Sequence, residues 1–321
     1  MQKKLLIGVL AYNVENFIHD VINDLLDLNY PILIINDGSN DKTIEKLKLF
    51  ENNKKIIILE NQKNIGAGAS LRKLFEYAYQ NNYDFLVKVD GDGQFKISDV
   101  KNLIDKYLFN DFKFIKSNRF WQNGIEGEIP KKRFFGNLLA TFLMQFTIGS
   151  NKLYDPLNGL FGVSVDIYNN LNVKYYPKRY GYPFFITLAS VINGYKTYQI
   201  NNTVIYSDQN SSLNSIKVFF TIIKLCIIFY FYKIKLKRFN GKFQRSAFLD
   251  SLFIFNFFIS SVLFFSLVIS IIYGRFNILT QATNLYLFTF WMLITFFSLF
   301  LSIKEENILR ENQITNENLI S

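Results

Sequence analysis

Up to about residue 210 the chain alternates short apolar runs with longer stretches whose apolar residues recur at helical spacing. Leu5 to Leu10 reads as a buried strand, and from Glu15 to Leu28 the residues Phe17, Ile18, Val21, Ile22, Leu25 and Leu26 trace one face of a helix. The same alternation continues. Ile32 to Ile35 predicts a strand, Lys42 to Phe50 a helix, Ile56 to Leu59 a strand, Ala69 to Gln80 a helix and Phe85 to Val89 a strand. Asp99 to Tyr107 then reads as a helix and Phe114 to Ser117 as a strand. Strands and helices in this order predict an α/β, doubly wound sheet of parallel strands joined by right-handed crossovers. Ligands of such sheets bind beyond the carboxyl ends of the strands, so the polar residues there are the candidates for chemistry.

Beyond that sheet, Phe134 to Ile148 predicts a helix, Asp155 to Gly162 a turn entering a short strand, and the segment Arg179 to Phe185 leads into a helix reaching about Asn193. Two short strands, Thr197 to Ile200 and Thr203 to Tyr206, close the domain. The pattern changes after Ser215. Ser251 to Tyr273 and Leu285 to Ile303 carry no charge and are long enough to cross a bilayer as a helical hairpin. Ile216 to Tyr232 is apolar apart from Lys217 and Lys224, which predicts an interfacial helix in the headgroup plane, a third span being the alternative. The expected organisation is a globular domain over 1–215, an interfacial and juxtamembrane segment over 216–250, a transmembrane hairpin over 251–303 and a polar, poorly ordered tail over 304–321.

Composition sharpens this. With 50% hydrophobic, 17% aromatic and 19% charged residues, the chain is too apolar for disorder and unusual for a wholly soluble protein. The net charge of +10 includes a cluster directly before the first span: Lys233, Lys235, Lys237, Arg238, Lys242 and Arg245. Beside a span such a cluster is expected to face lipid headgroups and stay cytoplasmic, which displaces a nucleic-acid reading. Lys3 and Lys4 precede an apolar run too short for a secretion signal, and that run reads as a strand. One cysteine and one histidine, His19, exclude an internal disulfide and multi-histidine or cysteine-rich metal sites, leaving oxygen ligands. His19 adjoins an apolar stripe and is expected to be structural or at the surface.

The strand ends supply those oxygens. Asp90-Gly91-Asp92-Gly93-Gln94 places two carboxylates on one side of an extended backbone, with glycines that let a ligand approach. The pair suits a hard divalent cation bridging phosphates, where the alternative is an acidic surface turn. Asp37, in Asn36-Asp37-Gly38-Ser39-Asn40-Asp41, is expected on the same sheet edge, and three carboxylates together favour a cation among them. Asn64-Ile65-Gly66-Ala67-Gly68 opens a helix, where glycines are expected to expose backbone N–H groups to an anion or sugar oxygen. Arg119, beyond the strand at Phe114, reads from the residues alone as an exposed arginine in a loop, whereas Arg133, with Lys132 at the start of a helix whose dipole disfavours them, is a candidate for an external anion or lipid headgroup.

Tyr12-Asn13 with Glu15, the Asn36–Asp41 stretch, Asn64 to Gly68 and Asp90 to Gln94 resemble, in that order, the family 2 glycosyltransferases, and within them the polyprenyl-phosphate and dolichyl-phosphate sugar transferases. The resemblance covers roughly residues 5 to 210. It implies a GT-A, Rossmann-like nucleotide-sugar-binding domain and a donor site of Ala11, Tyr12, Asn13, Glu15, Asp37, Asn64, Gly66, Asp90 and Gly91. Asp37 would lie near the base, Asp90 near the donor phosphate and ribose, and Asp92 would be the principal carboxylate on Mg2+ or Mn2+, with Asp90 beside it. Arg119 would bind a lipid phosphate, with Arg133 supporting it, and Asp155 would face the acceptor. The chain departs from the family pattern at Asn36, where an acid is usual, at Val14, which separates Asn13 from Glu15, and at Gly162, where arginine is common. It also lacks an acid near Phe184 to Ile186.

The expected function is therefore inverting transfer of a sugar from a nucleotide sugar to a polyprenyl phosphate, undecaprenyl or dolichyl, at the cytoplasmic membrane face. Transfer to a saccharide or lipid-linked glycan hydroxyl is the alternative within the class, and would need Asp155 or another carboxylate as base. A catalytically idle membrane scaffold is the alternative outside it. The phenylalanine-rich apolar helices can face lipid or pack against further copies of the chain as a homo-oligomer.

Overall fold

The computed structural model describes residues 3–121, 125–126, 131–170, 175–205, 215–239, 244–273 and 278–317. Residues 127–130, and Lys242 of the basic cluster, therefore lie outside the described residues. The chain forms two compact units, one of Met1–Ile148, Lys152–Phe229 and Asn312–Ser321, the other of Gly149–Asn151 and Tyr230–Glu311.

In the first unit β1 (Leu5–Ala11), α1 (Ile18–Leu26), β2 (Ile32–Asn36), α2 (Thr43–Lys48), β3 (Ile56–Glu60), α3 (Ala67–Gln80), β4 (Phe85–Asp90), α4 (Ile97–Phe109) and β5 (Phe114–Asn118) alternate as the apolar pattern predicts. They continue through β6 (Ile125–Glu126), α5 (Lys131–Ile148), β7 (Phe161–Ser164), α6 (Ile167–Asn170), α7 (Tyr182–Ile192), β8 (Thr197–Asn201) and β9 (Val204–Ile205). The strands β1, β2 and β5 are buried at every position, and β1 and β2, as far as Ile35, accordingly read as continuous apolar runs.

With a last strand β10 (Ile314–Asn316), the main sheet has the order β10-β8-β5-β7-β4-β1-β2-β3. Its β3-β2-β1-β4 half is parallel throughout. The other half departs from the expected all-parallel sheet, because β7 inserts antiparallel between β4 and β5. This insertion carries the chain back toward the carboxyl ends of β4 and β5, so the turn ahead of β7, Asp155 to Leu160, lands beside the residues that those strands deliver. The edge strand β10 (Ile314–Asn316) is a second departure. The polar tail expected to be poorly ordered instead pairs parallel with β8. Gln313 donates to the carbonyls of Val191 and Tyr195, and Glu317 accepts from the backbone N–H of Asn201, so polar side chains flank the added strand where an apolar pattern gave no strand signal.

Helix α8 (Ser215–Phe239) buries Ile222, Leu225, Cys226 and Phe229, a stripe at helical spacing, while Lys217 and Lys224 are exposed. Phe229 packs edge-on to Phe185 of α7 at 5.1 Å between ring centroids.

The second unit contains α9 (Gln244–Tyr273) and α10 (Ile278–Leu309), of which Gln244–Ile272 and Gln281–Leu309 are long and apolar enough to cross a membrane. Both extend well beyond the uncharged runs, and their polar ends form a buried ionic cluster with the last turns of α8. Lys237 Nζ lies 2.7 Å from both Asp250 Oδ2 and Glu306 Oε2, and Lys233 Nζ lies 3.0 Å from Glu306 Oε2. Arg310 Nη2 reaches Glu306 Oε1 at 3.0 Å. All five side chains are buried. This corrects the basic-cluster reading: Lys233 and Lys237 neutralise internal carboxylates, while Lys235, Arg238 and Arg245 remain exposed for headgroups. A run of positive charge in sequence cannot reveal carboxylates that arrive from later helices.

Candidate active site

Strand register collects the predicted donor residues on one edge. Ala11 pairs with Asn36, Leu10 with Asp90 and Asn36 with Glu60, so β1 to β4 end side by side. The loops leaving them are tied to one another. The Asn13 side-chain oxygen accepts from the Asn40 N–H at 2.9 Å, Glu15 Oε2 accepts from the Lys42 N–H at 2.7 Å, and the Glu15 N–H donates to Asp41. Tyr12 leaves its ring exposed between these anchors. Asn36, standing where the family pattern has an acid, is buried and accepts from the N–H and hydroxyl of Ser39.

Asp37 is buried and accepts from Asn61 Nδ2 at 2.8 Å and from the N–H groups of Ile65 and Gly66, both at 2.9 Å. It thereby fixes the course of the loop that contains Asn64. The glycines of that loop do something other than expected. The Gly68 N–H donates to the Arg179 carbonyl at 3.1 Å and the Ala69 N–H to the Lys178 carbonyl at 2.7 Å. A side chain on Gly68 would place its Cβ 2.0 Å from the Pro177 carbonyl oxygen. The start of α3 is thus covered by the 177–179 segment, and its N–H groups are spent on that segment and on Asp37 instead of on an anion. Asn64 joins the same packing by accepting from Arg179 Nη1 at 3.1 Å.

Asp90 and Asp92 leave the end of β4 as predicted. Burial, with the charge of Asp90 beside it, pushes the Asp92 carboxyl up to about 7, and one of its oxygens accepts from the Gln94 N–H at 3.2 Å. A half-buried carboxylate pressed by a like charge is stabilised by a cation, and with no cysteine or histidine nearby the donor set is all oxygen. Asp92 therefore fits a hard divalent metal such as Mg2+ or Mn2+.

Two lysines that the sequence reading passed over flank this edge. Lys88 and Lys116 both pair with Phe161 of β7, from β4 and β5, so they occupy one face of the sheet on either side of that strand. Both are buried. Lys88 Nζ pairs with Asp90 Oδ1 and lies 5.2 Å from the centre of the Tyr182 ring. Burial pulls the Lys116 ammonium down to about 8, opposed by the charge of Asp155. The signal for both was a lysine inside an otherwise apolar strand, since a buried ammonium requires a carboxylate partner.

Asp155 is fully buried in a left-handed backbone conformation, φ 53°, which aspartate tolerates better than most residues. Its carboxylate accepts from Arg119 N and Nε, both at 3.0 Å, from Arg119 Nη2 at 3.1 Å, from Asn137 Nδ2 at 2.7 Å and from Asn158 Nδ2 at 3.1 Å. Burial pushes this carboxyl up, but the charges of Arg119 and Lys116 and the hydrogen bonds outweigh it and hold it below the usual carboxylate range. Asn158 also donates to Asn202 Oδ1, while Asn137 Oδ1 and Asn202 Nδ2 are buried without a hydrogen-bond partner. Gly159 in the same turn sits against β4, where an added Cβ would lie 2.3 Å from Asp90 Oδ2. The 155–159 turn thus joins the Arg119 subsite to Asp90. Arg133 lies in the first turn of α5, half-buried, and makes no hydrogen bond to Arg119 or Asp155 among the described residues. His19 is exposed beside Asp20 and Phe50.

A cavity of about 550 Å³ lined by Lys3, Tyr107, Lys113 and Asp166 lies at the amino ends of the strands, opposite the edge where ligands of such sheets bind.

Comparison with known proteins places this geometry. Residues 6–171 match the glycosyl transferase family 2 profile. A UDP-N-acetylglucosamine–dolichyl-phosphate N-acetylglucosaminyltransferase of Methanococcus voltae is 27% identical over 184 residues, covering 53% of this chain and 73% of that protein. An uncharacterized protein of Methanocaldococcus jannaschii is 26% identical over 226 residues, covering 69% of this chain and 96% of its own length. In fold, glucosyl-3-phosphoglycerate synthase of Mycobacterium tuberculosis, solved with Mn2+, UDP and glucosyl-3-phosphoglycerate, superposes with TM-score 0.53 at 16% identity, covering 70% of this chain and 80% of that one. The sheet is accordingly of the expected GT-A type, and with the profile spanning more than half its length the chain belongs to glycosyl transferase family 2 and is a glycosyltransferase.

Proposed function

We propose that this glycosyltransferase moves a sugar from a nucleoside-diphosphate sugar to the phosphate of a polyprenyl lipid. The observation that carries the reading is the pairing of Arg119 with Asp155 beneath α5. On its inner side α5 contributes Asn137 to the Asp155 cluster, and on its outer side Phe135, Leu138, Leu139 and Phe142 are exposed. One helix therefore offers an apolar surface to a lipid chain and helps hold the arginine that would take its phosphate. The relative from Methanococcus voltae, named for transfer to dolichyl phosphate, supports that acceptor class. The two apolar helices and the exposed Lys235, Arg238 and Arg245 support attachment to a membrane with the catalytic unit on its cytoplasmic side. Both ends of the hairpin lead into the first unit, the later one through β10, so an even number of spans keeps that unit on one side.

In the proposed reaction an oxygen of the acceptor phosphate attacks the anomeric carbon from the face opposite the leaving group. The carbon–oxygen bond to the diphosphate breaks, the configuration inverts and a nucleoside diphosphate leaves. Tyr12, Asn13, Glu15, Asp37 and the Asn64–Gly66 loop form the donor end, with Asp90 and Gly91 toward the ribose and phosphate. A divalent cation on Asp92 would neutralise the charge that builds on the departing diphosphate. The acceptor phosphate is already anionic at neutral pH, so no general base is needed, in keeping with an Asp155 whose carboxylate is occupied by donors. Asp155 serves to fix the plane of the Arg119 guanidinium, and Arg133 adds positive charge at the start of α5.

Arg119→Lys keeps the charge but loses the bidentate pairing with Asp155. The KM for polyprenyl phosphate is expected to rise about ten-fold, with slow hydrolysis of the donor in the absence of acceptor unchanged. Equal KM values in steady-state assays of the two proteins would sink the assignment of Arg119 to the acceptor.

A further inference from the structure

Helix α7 opens on Tyr182, a residue that the reaction as described does not use. The segment ahead of it is pinned to the start of α3, where the N–H groups of Gly68 and Ala69 donate to the carbonyls of Arg179 and Lys178. Gly181 then turns the chain in the left-handed region, φ 90°, and Pro183 occupies the first turn of the helix. This course sets the Tyr182 ring beside the last residues of β4. Its centre lies 5.2 Å from Lys88 Nζ, the ammonium that pairs with Asp90 Oδ1. The residue is buried, with a relative exposure of 7%, yet its hydroxyl makes no hydrogen bond among the described residues. Thr187 of the same helix, by contrast, donates to the carbonyl of Pro183.

The surroundings restrict what that hydroxyl can do. Burial, with the charges of Asp90 and Asp92, holds the phenol well above its usual range, so it stays protonated and can donate. A hydroxyl taken from water without a partner costs free energy that a ligand oxygen beside it would recover. We propose that Tyr182 binds the nucleotide sugar, its hydroxyl donating a hydrogen bond from the α7 side of the site to a ligand oxygen seated at Asp90 and Asp92. The proposal rests on the reading of this strand edge as the nucleotide-sugar site. It requires nothing of the other interactions of the two aspartates. The oxygen belongs to the diphosphate or to the sugar, and the two leave different marks on binding. The competing role is structural, with the ring acting only as a cover for the Lys88 ammonium.

Tyr182→Phe separates the two roles, because phenylalanine keeps the ring and loses only the hydroxyl. Isothermal titration of the full-length protein in detergent with Mn2+, using uridine and guanosine diphosphates and their sugar conjugates, first identifies the nucleotide sugar that the parent binds most tightly. The variant is expected to bind that ligand about ten-fold more weakly, with its thermal midpoint in the absence of ligand unchanged or higher. An equal loss for the nucleoside diphosphate alone assigns the bond to the diphosphate. A loss confined to the nucleotide sugar assigns it to the sugar. Unchanged affinity for both ligands overturns the proposal and leaves the ring as a cover. A ring-fluorinated tyrosine incorporated in place of Tyr182 keeps the hydroxyl, and its fluorine resonance is expected to shift when the nucleotide sugar binds. A resonance unmoved at saturation overturns the proposal even if Tyr182→Phe folds poorly. If the parent itself binds none of the nucleotides, the reading of the edge as a nucleotide-sugar site fails first, and the role of Tyr182 fails with it.

Discussion

Asp92→Asn is expected to lower the rate of sugar transfer by about 10³-fold or more while leaving the fold in place. Asparagine keeps an oxygen for the Gln94 N–H, which can donate to an amide oxygen as it does to a carboxylate, so the local turn survives. What is lost is the charge that would hold a cation against the leaving diphosphate, an interaction worth several kcal/mol in the transition state and therefore about three orders of magnitude in rate. The same substitution relieves the repulsion from Asp90, so the thermal midpoint is expected to hold steady or rise slightly. Transfer assays at saturating donor, with Mg2+ or Mn2+ varied, check both statements. A variant with near-normal turnover would show that the metal, if one is used, is held elsewhere.

Glu306→Gln is expected to be among the most damaging substitutions for stability, although it lies far along the chain from the sugar chemistry. Glu306 is completely buried and answers Lys233, Lys237 and Arg310 at once. Its replacement leaves three buried cations with Asp250 as the remaining carboxylate of the cluster. Breaking a buried pair from one side costs about 3–5 kcal/mol, because the buried positive charge is then only partly compensated and cannot reach water. A fall of about 10 °C or more in the thermal midpoint of the detergent-solubilised protein follows from that range. Adding Lys237→Met to the variant removes one of the stranded cations, and part of the loss should return. If Glu306→Gln melts with the parent protein, the ionic cluster contributes nothing to holding α8, α9 and α10 together.

What was legible in the sequence follows from which side of a fold is buried on both faces. The strands β1, β2 and β4 announce themselves as apolar runs, and their common direction follows from the helices between them, so the convergence of Asp37, Asp90 and Asp92 on one edge could be derived before any coordinates. The antiparallel β7 could not, since a four-residue strand after a turn carries no sign of which neighbours it will separate. Nor could the covering of α3 by the 177–179 segment. Gly66 and Gly68 look the same in sequence whether they admit an anion or a distant piece of backbone, and here the backbone takes the space. The lysines were the overlooked signal. Lys88 sits between Val87 and Val89, and Lys233 and Lys237 sit on an apolar helix. In each case a charge among apolar residues meant an internal carboxylate partner, Asp90 for the first and Asp250 with Glu306 for the others. The tail shows the converse, because β10 joins the sheet by pairing with β8, buries Ile314 as its one apolar residue and is flanked by Gln313 and Glu317, too short an apolar pattern to reveal a strand.

Asp155 illustrates how geometry narrows a role that residue type leaves open. An aspartate at a Gly- and Pro-containing turn could orient a sugar, take a proton or hold a neighbour. Buried beneath Arg119, Asn137 and Asn158, with every hydrogen bond named above directed into its carboxylate, it is better suited to holding than to proton transfer. This is what favours an acceptor that arrives already ionised over one whose hydroxyl must be deprotonated.

The most direct test is to identify what leaves and what is made. The purified full-length protein, reconstituted in vesicles with undecaprenyl or dolichyl phosphate and supplied with a panel of nucleotide sugars and Mg2+ or Mn2+, can be followed by mass spectrometry of the lipid fraction and by chromatography of the released nucleotide. The account predicts a lipid monophosphate heavier by one sugar residue, with a nucleoside diphosphate released in equal amount. Sugar found only on a saccharide or lipid-linked glycan hydroxyl, with polyprenyl phosphate unchanged across the panel, would contradict it.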